Sequence, residues 1–233
     1  YNGVFNRSLN ADIGLTYGIS NIMKEAEVQN IMRWVPRGMG EREVRNIVGN
    51  IMALQPGSLT SEEALVQEAA AREAIRLGVE KHKGIASRLK GISLKRNISD
   101  MFAQALEPTY VDMMRTKVVI GRGKVFAQGS AANSALLLLD ALQPEGVTEM
   151  LIDRLSVMPN LGMLLEANRE VALQILSKEC LGKLGTCVAP RGRARLGEVA
   201  MTVLMTKSGG VVEEVVTYGE LKTLGLGIGE TAK

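Results

Sequence analysis

Apolar residues recur at helical spacing through most of the first half of the chain. Over residues 19–34, Ile19, Ile22, Met23, Ala26, Ile31 and Met32 follow a helical period, and Pro36 with Gly38 closes the run. Residues 41–54 carry a cleaner stripe, with Val44, Ile47, Val48, Ile51 and Met52 on one face. Glu41 and Glu43 fall in its first turn, where the helix dipole favours negative charge. Gln55, Pro56, Gly57 and Ser58 then make a turn. Thr60 and Glu63 have the spacing of a capping box, and the Ala- and Glu-rich residues 61–78 have strong helix propensity. Beyond them Gly78, Gly84 and Gly91 punctuate the chain, which predicts two short helices with a hinge. Residues 98–106 predict a further short helix, ended by Pro108.

The period changes at Thr116. Val118, Val119 and Ile120, then Gly121-Arg122-Gly123, then Lys124, Val125 and Phe126 predict two short strands around a glycine turn. Helical pattern resumes over residues 130–142, 147–157 and 161–181, with Pro144 and Pro159 in the breaks. Residues 199–206 and 211–218 are β-rich runs joined by Lys207-Ser208-Gly209-Gly210, which predicts a hairpin. A lone hairpin is marginal in water and its edges invite another chain, so this one is expected to contact a second copy. Gly225, Gly227 and Gly229 suggest a flexible end. The expected fold class is therefore mainly α, a multi-helix body with two small β-hairpins at about 116–128 and 199–218. A helical part with the basic stretch (1–108) would precede a helical part with both hairpins (109–233), as two domains or one continuous one.

Composition narrows the class. The 233 residues are 46% hydrophobic and 23% charged, as in a globular protein whose core needs no disulfide. The longest uncharged apolar run, 131–139, is far short of the roughly 20 residues that cross a bilayer, which excludes a transmembrane helix. Cys180, Cys187 and the single His82 cannot make a Cys/His zinc site or a His-dependent triad. No signal-peptide pattern opens the chain, so reduced thiols and a cytoplasmic or virion location are expected. Aromatics at 3% argue against aromatic pockets and stacking platforms, while 12 Met suit adaptable protein contacts.

The net charge of +3 matters less than its placement. Arg72, Arg76, Lys81, Lys83, Arg88, Lys90, Lys95 and Arg96 cluster against only Glu73 and Glu80. Arg191, Arg193 and Arg195 form a second cluster, and Lys117, Arg122 and Lys124 could extend the surface. Such residues neutralise RNA or DNA phosphates. The bland alternative is a solvated helix face offset by Glu73 and Glu80. Ser130 or Ser134, at a strand-to-helix turn, could act as nucleophile with Lys178 as base, although Ser130 is equally an ordinary N-cap. Gly121-Arg122-Gly123-Lys124 lacks the spacing of a P-loop. Glu62, Glu63 and Glu68 read as solvated helix face, His82 between two lysines as surface, and Trp34 as a core anchor. With no metal set and no cofactor fingerprint, subtraction leaves a non-enzymatic, self-associating structural protein. A viral or phage coat, nucleocapsid or matrix component would fit, with copies of itself and nucleic-acid phosphates as partners. The rivals are a Ser/Lys hydrolase on Ser130 or Ser134 and an interaction adaptor without nucleic acid.

Overall fold

The apolar stripes of the first half fold as helices and bury one face each. In the computed structural model, which describes residues 7–53, 59–86, 109–207 and 210–225, these are α1 (Ile19–Ala26), α2 (Val28–Met32), α3 (Glu41–Ala53) and α4 (Ser61–Ile85). The expected single run over 19–34 breaks at Glu27, whose φ of 63° is incompatible with a continuous helix. Helix α3 buries Val44, Ile47, Val48 and Ile51 against Ile19, Ile22 and Ile31 of α1 and α2 and Val66, Ala69 and Ala70 of α4. The capping box forms at the start of α4: Thr60 Oγ1 accepts from the Glu63 N–H at 3.2 Å, and Glu63 Oε2 accepts from the Thr60 N–H at 2.8 Å.

Helix α4 does not hinge at Gly78. It runs unbroken to Ile85, with its alanine face in the core and Arg76 bonded to both Glu73 and Glu80 along its length. These interactions outweigh the roughly 1 kcal/mol that an interior glycine costs. The turn at 55–58, the hinge at Gly91, the helix at 98–106, the turn residues 208–209 and the glycines 227 and 229 lie outside the described residues.

The larger correction concerns the expected mainly α body with hairpins at 116–128 and 199–218: the fold is mixed α/β. Strand β1 (Val118–Gly121) does not fold back on residues 124–126. It pairs in parallel with β2 (Gly146–Asp153), from Val118 opposite Glu149 to Gly121 opposite Ile152. Between them lie α5 (Lys124–Gln128) and α6 (Ala131–Leu142), the helical crossover that parallel strands require. Residues 147–157, expected as helix, supply β2 instead. Thr148, Met150 and Ile152 are buried in alternation with the more exposed Val147, Glu149 and Leu151, and over so short a length periodicity does not separate such a strand from a helix.

The run 161–181 also divides. It gives α7 (Met158–Ala167), α8 (Arg169–Ile175) and a π-helical turn (Leu176–Cys180), before β3 (Leu181–Ala189) completes a sheet of order β1-β2-β3. Asn168 causes the break between the two helices by accepting the Val171 N–H with its own side chain. A second core forms where Ala71 of α4 meets Phe126, Leu137, Leu138, Met150 and Ile152.

The chain forms two compact units, Tyr1–Cys187 and Val188–Lys233. The second contains the tail hairpin as expected, β4 (Val199–Lys207) antiparallel to β5 (Gly210–Thr217) with an irregularity between Val199 and Met201. Just after β5 the Glu220 carboxylate accepts from the Thr217 N–H and hydroxyl, both at 3.0 Å, which holds its carboxyl below the ordinary glutamate range. Among the described residues no helix is long and apolar enough to cross a membrane.

Glu73 joins α4 to the end of α2. Its carboxylate, 1% exposed, accepts from Trp34 Nε1–H at 2.9 Å and from Arg76 at 2.7 Å, with Arg33 at 3.6 Å. Arg33 and Arg72 both lie over the Trp34 ring. Glu73→Ala should therefore cost about 2–3 kcal/mol in urea unfolding. That is less than a fully buried pair would cost, because Arg76 can regain water. Glu73→Gln should cost roughly half as much, since it keeps an acceptor for Trp34.

Candidate ligand-binding cleft

In open parallel sheets, ligands bind beyond the carboxyl ends of the strands. Here the end of β1 is Gly121, and the chain turns through Arg122, Gly123 and Lys124 into α5. The turn depends on its glycines. A Cβ on Gly121 would sit 2.9 Å from the Phe126 ring, and Gly123 has a φ of 120°. Phe126 is thereby drawn under the end of the strand.

Above it opens a cleft of about 990 Å³. One wall is α4, with Gln67, Glu68 and Ala71; the other is the Arg122–Lys124 turn and the start of α6, with Asn133 and Ser134. Leu15, Ile51 and Leu59 add apolar lining. Across it, Asn133 Nδ2 donates to Glu68 Oε2 at 3.5 Å, and Arg72 binds both Glu68 (3.4 Å) and Asp140 (2.9 Å). Glu68 is therefore a tethered wall carboxylate, where a solvated helix face was expected.

The cations at the mouth are held from below. Asp153, at the end of β2, is fully buried and accepts from the Val157 and Met158 N–H groups at 3.3 and 3.0 Å. Arg122 Nε approaches the same carboxylate at 3.7 Å, and its terminal nitrogen donates to the Ser156 carbonyl at 3.4 Å. Half of the Arg122 side chain remains exposed at the cleft, and Lys124 is exposed beside it. Behind Asp153, burial pushes the Cys180 thiol up, and the charges of Asp153 and Glu179 add to the shift. Ser134, 2% exposed, borders the cleft, but its hydroxyl is buried away from the opening and has no hydrogen-bond partner among the described residues.

The other residues singled out by sequence divide as follows. Arg72 and Arg76 are spent on Glu68, Asp140, Glu73 and Glu80. Lys81 and Lys83 stand on the last turns of α4. Arg88, Lys90, Lys95 and Arg96 lie outside the described residues. Arg191, Arg193 and Arg195 belong to the second unit, between β3 and β4. Ser130 caps α6, its hydroxyl accepting the Asn133 N–H at 3.1 Å. Among the described residues no three His, Cys, Asp or Glu side chains gather as metal ligands would. Asp153 was missed by sequence reasoning; its one signal was a carboxylate ending an apolar run.

The sequence model of a family described as MutL protein matches residues 2–180. The chain belongs to the MutL family. The match covers the sheet's first two strands and the whole cleft and stops before β3, so the MutL-family region lies within the first unit. No curated protein and no solved structure matched the chain. Membership of the MutL family overturns the expected viral or phage coat, nucleocapsid or matrix protein. It likewise leaves the Ser/Lys hydrolase and the adaptor without support. The subtraction failed for a physical reason: the cleft is assembled from positions as distant as Leu15 and Leu137, so no local motif announces it.

Gly121→Ala tests how the cleft floor is set. The added methyl meets the ring of buried Phe126 and should cost about 1–3 kcal/mol in thermal or urea unfolding. Gly162→Ala, on α7 where a Cβ meets nothing within 4 Å, should cost nothing measurable.

Proposed function

We propose that this MutL-family chain binds a phosphate-bearing small molecule of the nucleotide class in the cleft at the end of β1. The observation that carries the reading is the pair of cations, Arg122 and Lys124, on a glycine turn at the carboxyl end of a parallel strand. Arg122 is braced on buried Asp153 and the Ser156 carbonyl, which leaves its other terminal nitrogen for a ligand at little entropic cost. Leu15, Ile51 and Leu59 in the lining offer a base an apolar seat, and about 990 Å³ is room for both parts. The role is one of binding, and the expectation of a non-enzymatic protein is kept within it.

Titration calorimetry with ADP, AMP and adenosine tests the reading. ADP should bind more tightly than AMP, and adenosine weakest. Lys124→Ala and Arg122→Ala should each weaken ADP about tenfold or more, as expected for the loss of a charge-assisted hydrogen bond. Equal affinity for ADP and adenosine, or no ADP binding at millimolar concentration, would refute the assignment.

A further inference from the structure

The second unit lies outside residues 2–180, the span that matches the MutL family, and it opens on a run of positive charge. From Ala189 to Gly197 the chain carries Arg191, Arg193 and Arg195 and no carboxylate. All three arginines are exposed. The unit's own carboxylates are used elsewhere. Glu214 binds Lys222 at 3.0 Å, Glu220 accepts from Thr217, and Glu213 stands well along the hairpin, opposite Leu204. Among the described residues no ion pair holds Arg193 or Arg195. Uncompensated guanidinium groups make a surface for an anion, and their planar fork matches phosphate oxygens two at a time.

The end of this run is fixed rather than loose. The Glu198 N–H donates to the Arg195 carbonyl at 3.0 Å, and the Glu198 carboxylate accepts the Arg195 N–H at 2.9 Å, so both backbone groups of Arg195 are held. The same turn is tied to the residue after β5. Gly197 N–H donates to the Tyr218 carbonyl at 3.0 Å, and Tyr218 N–H donates to the Glu198 carbonyl at 2.7 Å. An aromatic side chain, 39% exposed, is thereby kept beside the arginine run. Exposed Leu196 crosses Gly219 next to it, where a Cβ would collide with the leucine. Cations beside an exposed ring are the two components of a surface for single-stranded nucleic acid: phosphates take the charge and a base stacks on the ring. A duplex keeps its bases stacked on one another, and an acidic peptide would use the arginines alone.

We infer that the base of the β4–β5 hairpin binds single-stranded nucleic acid, with phosphates on Arg193 and Arg195, further charge from Arg191, and one base stacked on Tyr218. A low aromatic content does not weigh against this, since one base needs one ring. The site is independent of the nucleotide reading, whose residues all belong to the first unit.

Fluorescence anisotropy of the full chain with a labelled oligothymidylate tests the inference. A length of about 12 nucleotides lies within the roughly 4–16 that one small β-fold covers. It should bind more tightly than a duplex of the same length or polyglutamate of equal charge. Arg193→Gln combined with Arg195→Gln should weaken binding at least tenfold at low salt. The same pair should reduce the slope of log K against log salt by about 1.4, or about 0.7 for each arginine lost. Tyr218→Ala should weaken binding about fivefold or more and leave that slope unchanged, because a stack is lost and not a charge. Tyr218→Trp keeps a ring in place should the alanine loosen the hairpin. It should bind at least as tightly as the parent and show tryptophan quenching beyond that of Trp34, the parent's single tryptophan. An unaltered salt slope in the double arginine variant would overturn the inference, as would equal binding of duplex or polyglutamate. So would Tyr218→Trp binding without added quenching, or no binding at tens of micromolar in low salt. ADP titration of the double arginine variant should be unaltered, which keeps the two sites distinguishable.

Discussion

The buried Glu73 carboxylate fixes the register of α4 against the first helices. Removed from water, it is compensated by an indole N–H, a guanidinium and a second, more distant guanidinium. Charges so placed are directional in a way that apolar packing is not, because a slip of one turn would leave a buried anion unpaired. The neighbouring Arg72 carries the constraint onward, spanning from Glu68 on its own helix to Asp140 on α6. Both cores depend on this one helix. Val66, Ala69 and Ala70 face the first, and Ala71 faces the second. Alanine at these positions allows the close approach that the polar links then lock.

The cleft follows from that arrangement. Helices α4 and α6 meet along part of their length, and the turn after β1 opens beside them. What makes it more than a gap is the charge arrangement at its mouth. The end of β2 buries Asp153, whose carboxylate is stabilised by two backbone N–H groups at the start of α7 and by Arg122. A mobile surface arginine becomes an anchored one, and its partner strand supplies the anchor. Parallel pairing is the prerequisite, since only parallel strands bring the ends of β1 and β2 to the same edge of the sheet.

The chain's local signals were legible where a single element satisfied itself. The stripe of α3, the Thr60–Glu63 capping box, the Ser130 cap of α6 and the β4–β5 hairpin each rest on interactions within about one or two turns or across one short loop. In the site, Arg122, Lys124 and Ser134 attracted attention as residues, but the side chains beside them could not be read from the sequence. The cations were grouped with a phosphate-binding surface and the serine with a lysine base. Asp153 at the end of β2 and Glu68 on α4, which stand beside them in the fold, come from other elements.

By itself, then, the sequence determined the helices with one wet face, their caps, the tail hairpin and the absence of a helix able to span a membrane among the described residues. Tertiary structure alone decided that residues 118–121 and 146–153 pair in parallel, making the fold mixed α/β. It alone decided that α4 continues through Gly78, and that Arg72 and Arg76 are consumed by carboxylates. Amphipathic periodicity records which face of an element meets water. Over a strand as short as β1 or β2 that record is too brief to tell a period of two from a helical one, and a side chain's charge does not say which distant carboxylate will hold it.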